Sequence, residues 1–257
     1  MAIQFPQATQ VVSNQSFGSA GRLLVLKKRL DFNPGQLVSL STELGGVSRL
    51  YSIASAPGAD TLEIIYNLVE SGEISPRLWE CQAGDTILMQ GPRGGFIEPK
   101  LEANQTEIWW IGNGTGISPY ISMIRYYREH DPAQLSKRFL LFGCRSPDDI
   151  WFLPELIATV GEHGLRCLIC LSSAQAKTLS AENQLTAGLP IYSHGMAGLP
   201  IRIALYFGRL TAWPGLHSPH RDKLAMLCGS SLMISEVRDS LMDSGLASSQ
   251  IFAETYF

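Results

Sequence analysis

Two stretches of the chain set residue types that do chemistry at short spacing. Arg49-Leu50-Tyr51-Ser52 puts a guanidinium, a phenol ring and a hydroxyl within four residues. On a strand the i, i+2 spacing sends Arg49 and Tyr51 to the same face, so one strand can hold a phosphate and stack on a ring. In Ile108-Trp109-Trp110-Ile111-Gly112-Asn113-Gly114-Thr115-Gly116-Ile117-Ser118-Pro119-Tyr120 an apolar run breaks into glycines and restarts as a helical pattern, which reads as strand, tight turn, helix. Glycine lacks Cβ, so such a turn takes positive φ and lets a ligand lie against bare backbone, while the N–H groups opening the helix face an anion. This is a phosphate or ribose seat. Measured against the dinucleotide fingerprint G-x-G-x-x-G, Gly112 and Gly114 fit, but Ile117 occupies the third glycine's place. A further helix start at Gly72-Glu73-Ile74-Ser75-Pro76, with Ser75 as cap and Pro76 at the first helical position, gives a second anion seat.

Two kinds of scaffold are needed to position these residues. From Gln10 to about Pro99 the chain reads as short β segments divided by Gly, Pro and Asn: 21–27, 36–40, 49–54, 61–69 and 85–90. Regular short strands with turn signals predict a barrel or a sandwich. From Glu107 strands and helices alternate: strand 108–111, helix 118–129, strand 138–143, helix 154–161, strand 165–171, a helix near Leu210, strand 224–228, helix 231–244 and strand 250–253. That pattern predicts a doubly wound parallel sheet, whose ligands lie at the carboxyl ends of the strands. The join falls near Glu98-Pro99-Lys100, giving domains of residues 1–99 and 100–257. The stretch from Ser172 to Pro200 is rich in Ser, Ala, Gly and Pro and reads as an insertion.

Composition bounds the rest. The chain has 257 residues, 45% of them hydrophobic, enough for two domains with sizeable cores. With 20 basic and 23 acidic residues the net charge of −3 provides no global field for nucleic acid or membrane. The amino terminus has neither a basic n-region nor an apolar core, and no run approaches the roughly 20 apolar residues of a membrane span, so the expectation is a cytoplasmic protein. Five scattered cysteines form no disulfide framework, and Cys167-Leu168-Ile169-Cys170 lies in a strand-like run, where buried thiols are expected rather than a redox pair. His217-Ser218-Pro219-His220 has no carboxylate or thiol cluster beside it, so no metal site is expected.

The glycine-rich turn and Arg49-Leu50-Tyr51-Ser52 are joined by three more blocks in order: Gly91-Pro92-Arg93-Gly94-Gly95-Phe96, Leu227-Cys228-Gly229 and the final Ala253-Glu254-Thr255-Tyr256-Phe257. Together they resemble the ferredoxin or flavodoxin–NADP reductases, most closely the short bacterial type, over nearly the whole chain except about residues 174–203. The resemblance implies an amino-terminal antiparallel β-barrel that binds FAD, followed by the α/β sheet that binds NADP.

In the family pattern Arg49 binds the FAD pyrophosphate, Tyr51 stacks on the isoalloxazine and Ser52 sits near N5, with Leu50 between them. Ile65, Tyr66 and Asn67 fall where the next strand lines the flavin, Glu73, Ile74 and Ser75 where the helix start meets the pyrophosphate, and Gly91–Phe96 where a loop backs the ring. Gly114, Thr115 and Gly116 match the nicotinamide nucleotide's seat, and Arg145 and Arg209 match cations for the adenosine 2′-phosphate. Ser172-Ser173 stands where a Ser-Arg pair is usual, which weakens NADP preference; Arg202 is a substitute from the insertion. Cys228, beside Gly229, matches the cysteine packed against the nicotinamide, and Glu254 the carboxylate that relays a proton to N5. Tyr256 matches the aromatic that covers the flavin opposite Tyr51, and Phe257 a ring against the FAD adenine.

The implied activity is hydride exchange between NADP(H) and flavin N5, then single-electron exchange with ferredoxin or flavodoxin. No plant-type iron–sulfur cysteine spacing is present, so that acidic partner is a separate protein, Lys27-Lys28-Arg29 is a local basic cluster for it, and the reductase itself is expected to be a monomer. Rival readings are the reductase component of an oxygenase system, a flavin reductase, or a non-enzymatic nucleotide-binding electron-transfer subunit.

Overall fold

The computed structural model describes residues 3–102, 105, 107–172, 191–193 and 222–256; for residues 3–4, 191–193 and Tyr256 it describes the backbone. The chain divides into two compact units, Met1–Glu98 with Ser118–His130, and Pro99–Ile117 with Asp131–Phe257.

The first unit is built on six antiparallel strands: β1 (Ile3–Phe17), β2 (Gly21–Lys27), β3 (Leu37–Ser41), β4 (Arg49–Ser52), β5 (Thr61–Asn67) and β6 (Thr86–Arg93). Their order is β4-β3-β6-β1-β2-β5. A bridge between Ile53 and Ile64, with Ala54 N donating to Glu63 O at 2.8 Å, joins the two outer strands and closes the sheet into a barrel. Alternation does the sorting: Leu24 and Leu26 of β2 and Leu62, Ile64 and Tyr66 of β5 fill the interior with Val38, Leu40, Ile87 and Met89. Helix α1 (Ser75–Glu80) adds Leu78 to that core. Helix α2 (Ser118–His130) packs outside, where Ser122 Oγ donates to Ser55 O at 2.7 Å and Arg125 pairs with Glu63 at 2.6 Å.

The structure departs from the sequence expectations at three places. Strand β1 was not anticipated, because Thr9 and Val11 are its buried positions and the run carries no apolar period. Ser75 is not the cap of α1. It is the first helical residue, Ile74 holds the cap position, and the Ser75 hydroxyl accepts from Val69 N at 2.9 Å. Gly91, Pro92 and Arg93 belong to β6, so the loop begins only at Gly94.

The second unit is a parallel sheet ordered β10-β9-β8-β7-β11-β12, with β7 (Glu107–Asn113), β8 (Arg138–Cys144), β9 (Arg166–Leu171), β10 (Ile191–Ser193), β11 (Lys223–Ser230) and β12 (Ile251–Tyr256). The inner strands are buried up to their carboxyl ends, which is why they read as continuous apolar runs. On one face Trp109, Ile111, Phe139 and Leu141 pack with Met233, Ile234 and Val237 of the last helix (Ser231–Asp243), here α4; α3 (Leu153–His163) adds Leu156 and Thr159 as buried positions. Residues 191–193, inside the stretch read as an insertion, pair with β9. The expected helix near Leu210 and Arg202 lie outside the described residues.

At the amino ends of the strands a carboxylate is buried among cations. Glu107 pairs with Lys223 at 3.4 Å and with Arg166, and accepts from Trp109 Nε1. Burial lowers the pKa of both Lys223 and Arg166. Cys167 and Cys170 are both buried free thiols on β9; burial pushes Cys167 up to about 12 and Cys170 also upward, so the C-x-x-C pair is structural packing.

Candidate functional site

In the barrel unit β4 presents Arg49 and Leu50 exposed, Tyr51 half-buried and Ser52 at 5% exposure. Pairing with β3 sets Arg49 opposite Leu40 and Tyr51 opposite Val38, so cation and ring share a face. The Arg49 guanidinium is exposed and donates to Ser48 O at 3.0 Å.

Behind Tyr51 stands an aromatic ladder. Tyr51 meets Tyr66 edge-on at 6.2 Å, Tyr66 meets Trp79 of α1 edge-on at 6.1 Å, and the Arg22 guanidinium lies 4.4 Å from the centre of the Trp79 ring. Its polar hinge is Asn14 of β1. The Tyr66 hydroxyl donates to Asn14 Oδ1 at 3.1 Å, and Asn14 Nδ2 donates to Leu78 O at 2.7 Å and Cys81 O at 2.9 Å, carbonyls at the end of α1. One amide therefore ties the ring support to the helix whose start was read as an anion seat. Burial pushes the Tyr66 phenol up to about 12 and pushes Tyr51 further, helped by Tyr66. Both phenols stay neutral at physiological pH and offer a ring and an O–H rather than a charge. Of the other expected flavin-lining positions, Ile65, Ile74 and Ser75 are buried and Asn67 and Glu73 exposed. Asn14 was missed because it is a polar residue in a strand with no apolar signature.

In the α/β unit, β7 runs into a short 3-10 turn (Gly114–Ile117), with Gly114 at φ +54°. The turn lies on the end of β11. A Cβ on Gly116 would stand 2.1 Å from Cys228 O, so only glycine allows that approach. Parallel register sets Cys228 beside Gly112 on one side and Glu254 on the other, bringing the thiol and the carboxylate to one level of the sheet. Cys228 is fully buried and Glu254 half-buried. Arg145 is exposed at the end of β8, and the Ser172 N–H donates to Cys144 O at 3.0 Å, so these two share neighbouring strand ends. Ser173, Arg209 and Phe257 lie outside the described residues, as does the side chain of Tyr256. The arrangement offers what a dinucleotide requires in outline: bare backbone at a strand–turn, a cation at the end of the neighbouring strand, and a thiol and carboxylate at the end of the sheet.

Comparison with known proteins agrees with both halves. A model of the oxidoreductase FAD-binding domain matches residues 10–97, and one of the oxidoreductase NAD-binding domain matches residues 110–186. Ferredoxin–NADP reductase B of Sorangium cellulosum is 30% identical over 213 residues, 81% of this chain and 78% of that protein. The reductase component of propane 2-monooxygenase from Mycolicibacterium smegmatis is 28% identical over 149 residues, 57% of this chain and 42% of that protein. In fold, the chain is similar to a ferredoxin NADP+ reductase from Neisseria gonorrhoeae solved with FAD and NADP, with a TM-score of 0.76 at 22% identity, covering 98% of this chain and 99% of that one.

The cofactors of the two matched domains are thus FAD and NAD(P), and the residues present fit them: an exposed guanidinium beside a half-buried ring in the barrel, and a glycine cradle at the strand ends of the sheet. With these two domains in this order and that degree of likeness over four-fifths of its length, the chain belongs to the ferredoxin/flavodoxin–NADP reductase family of oxidoreductases.

Proposed function

We propose that the protein is a ferredoxin/flavodoxin–NADP reductase acting on NADPH. The observation that carries this reading is the strand-end register that sets Cys228 beside Glu254, with the Gly116 turn laid against Cys228. Bound FAD supplies the exchange of one hydride for two single electrons, which a nicotinamide alone does not perform. The chain's own residues bind and orient. With FAD bound, Arg49 would neutralise its pyrophosphate, with the start of α1 (Glu73, Ile74, Ser75) beside it; Tyr51, backed by Tyr66, would offer its ring to the flavin, and Ser52 would offer a hydroxyl at N5. Leu50, Ile65 and Asn67 line the same cofactor. Gly114, Thr115, Gly116 and Gly229 take the nicotinamide nucleotide against backbone, Cys228 packs on the nicotinamide, and Glu254 holds the proton that the reaction moves.

Arg145, on the exposed end of β8, pairs with the 2′-phosphate of NADPH, with Arg209 as second cation. Ser172-Ser173 brings hydroxyls where a further arginine would strengthen that choice. A charge-assisted hydrogen bond contributes about 1.5–3 kcal/mol, so the preference for NADPH over NADH narrows by one to two decades without reversing.

The likeness to the propane 2-monooxygenase component supports a second reading, the same hydride chemistry serving an oxygenase. Among the described residues no helix is long and apolar enough to cross a membrane. The test is NADPH-driven reduction of cytochrome c by the FAD-loaded protein. The proposal expects turnover that depends on added flavodoxin or ferredoxin and is faster with NADPH than with NADH. Turnover that ignores both carriers but responds to an oxygenase component would favour the second reading.

A further inference from the structure

The glycines that form the nucleotide cradle in the α/β unit do not hold themselves in place. Asn113, the last residue of β7, reaches across to the end of β11, 117 residues away in sequence: its Oδ1 accepts from Ser230 N at 3.0 Å and its Nδ2 donates to Ser230 Oγ at 3.3 Å. Ser230 in turn caps α4, its hydroxyl accepting from Met233 N. Gly229, between Cys228 and Ser230, takes φ +147°, and a Cβ there would stand 1.9 Å from Asn113 Oδ1. The amide therefore occupies the space a side chain at 229 would need. Together with Gly116 against Cys228 O, it makes the β7 turn and the Cys228-Gly229 peptide one rigid piece.

We infer that Asn113 is a positioning residue for the hydride step: it fixes the Cys228-Gly229 peptide against the Gly114–Gly116 turn, so that the part of the nucleotide held by the turn and the nicotinamide held at Cys228 keep one spacing. This rests on the reading of these strand ends as the nicotinamide nucleotide's seat. It adds a residue whose contribution is geometric, because Asn113 acts through Gly229 and Ser230. A misplacement of about 1 Å at a reacting centre costs up to roughly a hundredfold in rate, whereas the same looseness leaves the binding of the nucleotide's remote half nearly intact. The signature is a fall in limiting rate with little change in half-saturation.

The experiment is stopped-flow reduction of the FAD-loaded protein by NADPH, for wild type, Asn113→Ala, Asn113→Asp and Cys228→Ala, with thermal unfolding measured on each. Asn113→Ala is expected to lower the limiting rate about tenfold at near wild-type half-saturation. Asn113→Asp keeps an acceptor for Ser230 N and lets the Ser230 hydroxyl donate to the second carboxylate oxygen, so its limiting rate should stay near wild type. Its added negative charge beside an anion's seat should raise half-saturation instead. A limiting rate unchanged in Asn113→Ala, whatever its melting temperature, overturns the inference, as does an Asp variant slowed as much as the Ala variant. If Cys228→Ala is also reduced at the wild-type rate, the reading of the seat itself fails, and the inference falls with it; a slow Cys228→Ala with a fast Asn113→Ala removes the inference alone.

Discussion

The two proposed seats are made of different material. In the barrel the groups are side chains on a curved wall, Arg49, Tyr51 and Ser52, supported from behind by Tyr66, Trp79 and the Asn14 amide. In the parallel sheet the seat is mostly backbone, a turn whose Gly116 meets the Cys228 carbonyl and whose fit depends on the absence of Cβ atoms. A side-chain seat degrades by degrees, because each group contributes separately and its neighbours relax. A backbone seat fails at once, because a methyl placed against a peptide cannot rotate away. Adding one carbon to the second seat should therefore cost more than deleting a whole guanidinium from the first.

The largest effect is expected from Gly116→Ala. The new methyl meets Cys228 O at 2.1 Å, a distance at which backbone must shift. We expect a loss of about 3 kcal/mol in stability and no measurable NADPH saturation, with FAD retained. Calorimetry together with NADPH titration of the FAD-loaded variant checks both halves, and a variant that saturates normally would remove the contrast between the seats. Next is Arg49→Ala, which should weaken FAD by about 2 kcal/mol, roughly thirtyfold in Kd, while leaving melting of the apoprotein unchanged because the guanidinium is exposed. Equilibrium dialysis of the flavin measures it; retention of FAD at wild-type affinity would take the pyrophosphate away from Arg49.

The same contrast governs how much could be read from the chain. Strand β2 and the inner parallel strands were legible because each buries a periodic or continuous apolar set, and the glycine turn because its chemistry is local. Strand β1 was not, since it lies between β2 and β6 and is held by backbone pairing with Thr9 and Val11 as its buried positions. The groups that hold each seat together were hidden for a related reason. Asn14 binds carbonyls 64 and 67 positions away, and Asn113 binds Ser230 across 117, and an asparagine reads locally as a turn residue. Ser75 misled in the opposite direction: its sequence context fits a cap, but Val69 offers its N–H and carbonyl to the hydroxyl and the helix begins one residue earlier.

Asn14→Ala comes third in size. It strips the partner from the Tyr66 hydroxyl and from the Leu78 and Cys81 carbonyls together, and the expected cost is about 2 kcal/mol in stability with a several-fold weaker FAD, since α1 and the ring support both loosen. Chemical denaturation of the apoprotein and flavin dialysis separate the two; a stability loss with unaltered FAD binding would confine Asn14 to the fold.

The smallest effect, and the sharpest probe of the side-chain seat, is Tyr66→Phe. The ring stays, so the edge-on contacts to Tyr51 and Trp79 persist, and what goes is one hydrogen bond to Asn14 Oδ1, worth about 1 kcal/mol. Asn14 still donates to both α1 carbonyls, so the helix stays anchored. A second consequence appears only at high pH. Burial raises the Tyr66 phenol from the ordinary value near 10 to about 12 in the folded protein, so folding favours its protonated form. That preference is fully present below pH 10 and is lost as pH rises from 10 towards 12, where the unfolded chain ionises first. Wild type should therefore lose stability more steeply than Tyr66→Phe across that interval, and the gap between them should narrow there. Tyr51 is raised in the same direction chiefly by its own burial, and that part cancels in the comparison; the smaller part that comes from Tyr66 is lost in the Phe variant and adds to the same narrowing. Urea unfolding of the two apoproteins at pH 8, 10 and 11 measures the gap. If it stays constant with pH, the Tyr66 hydroxyl ionises in the barrel as easily as in water, and the wall behind Tyr51 is wetter than its burial implies.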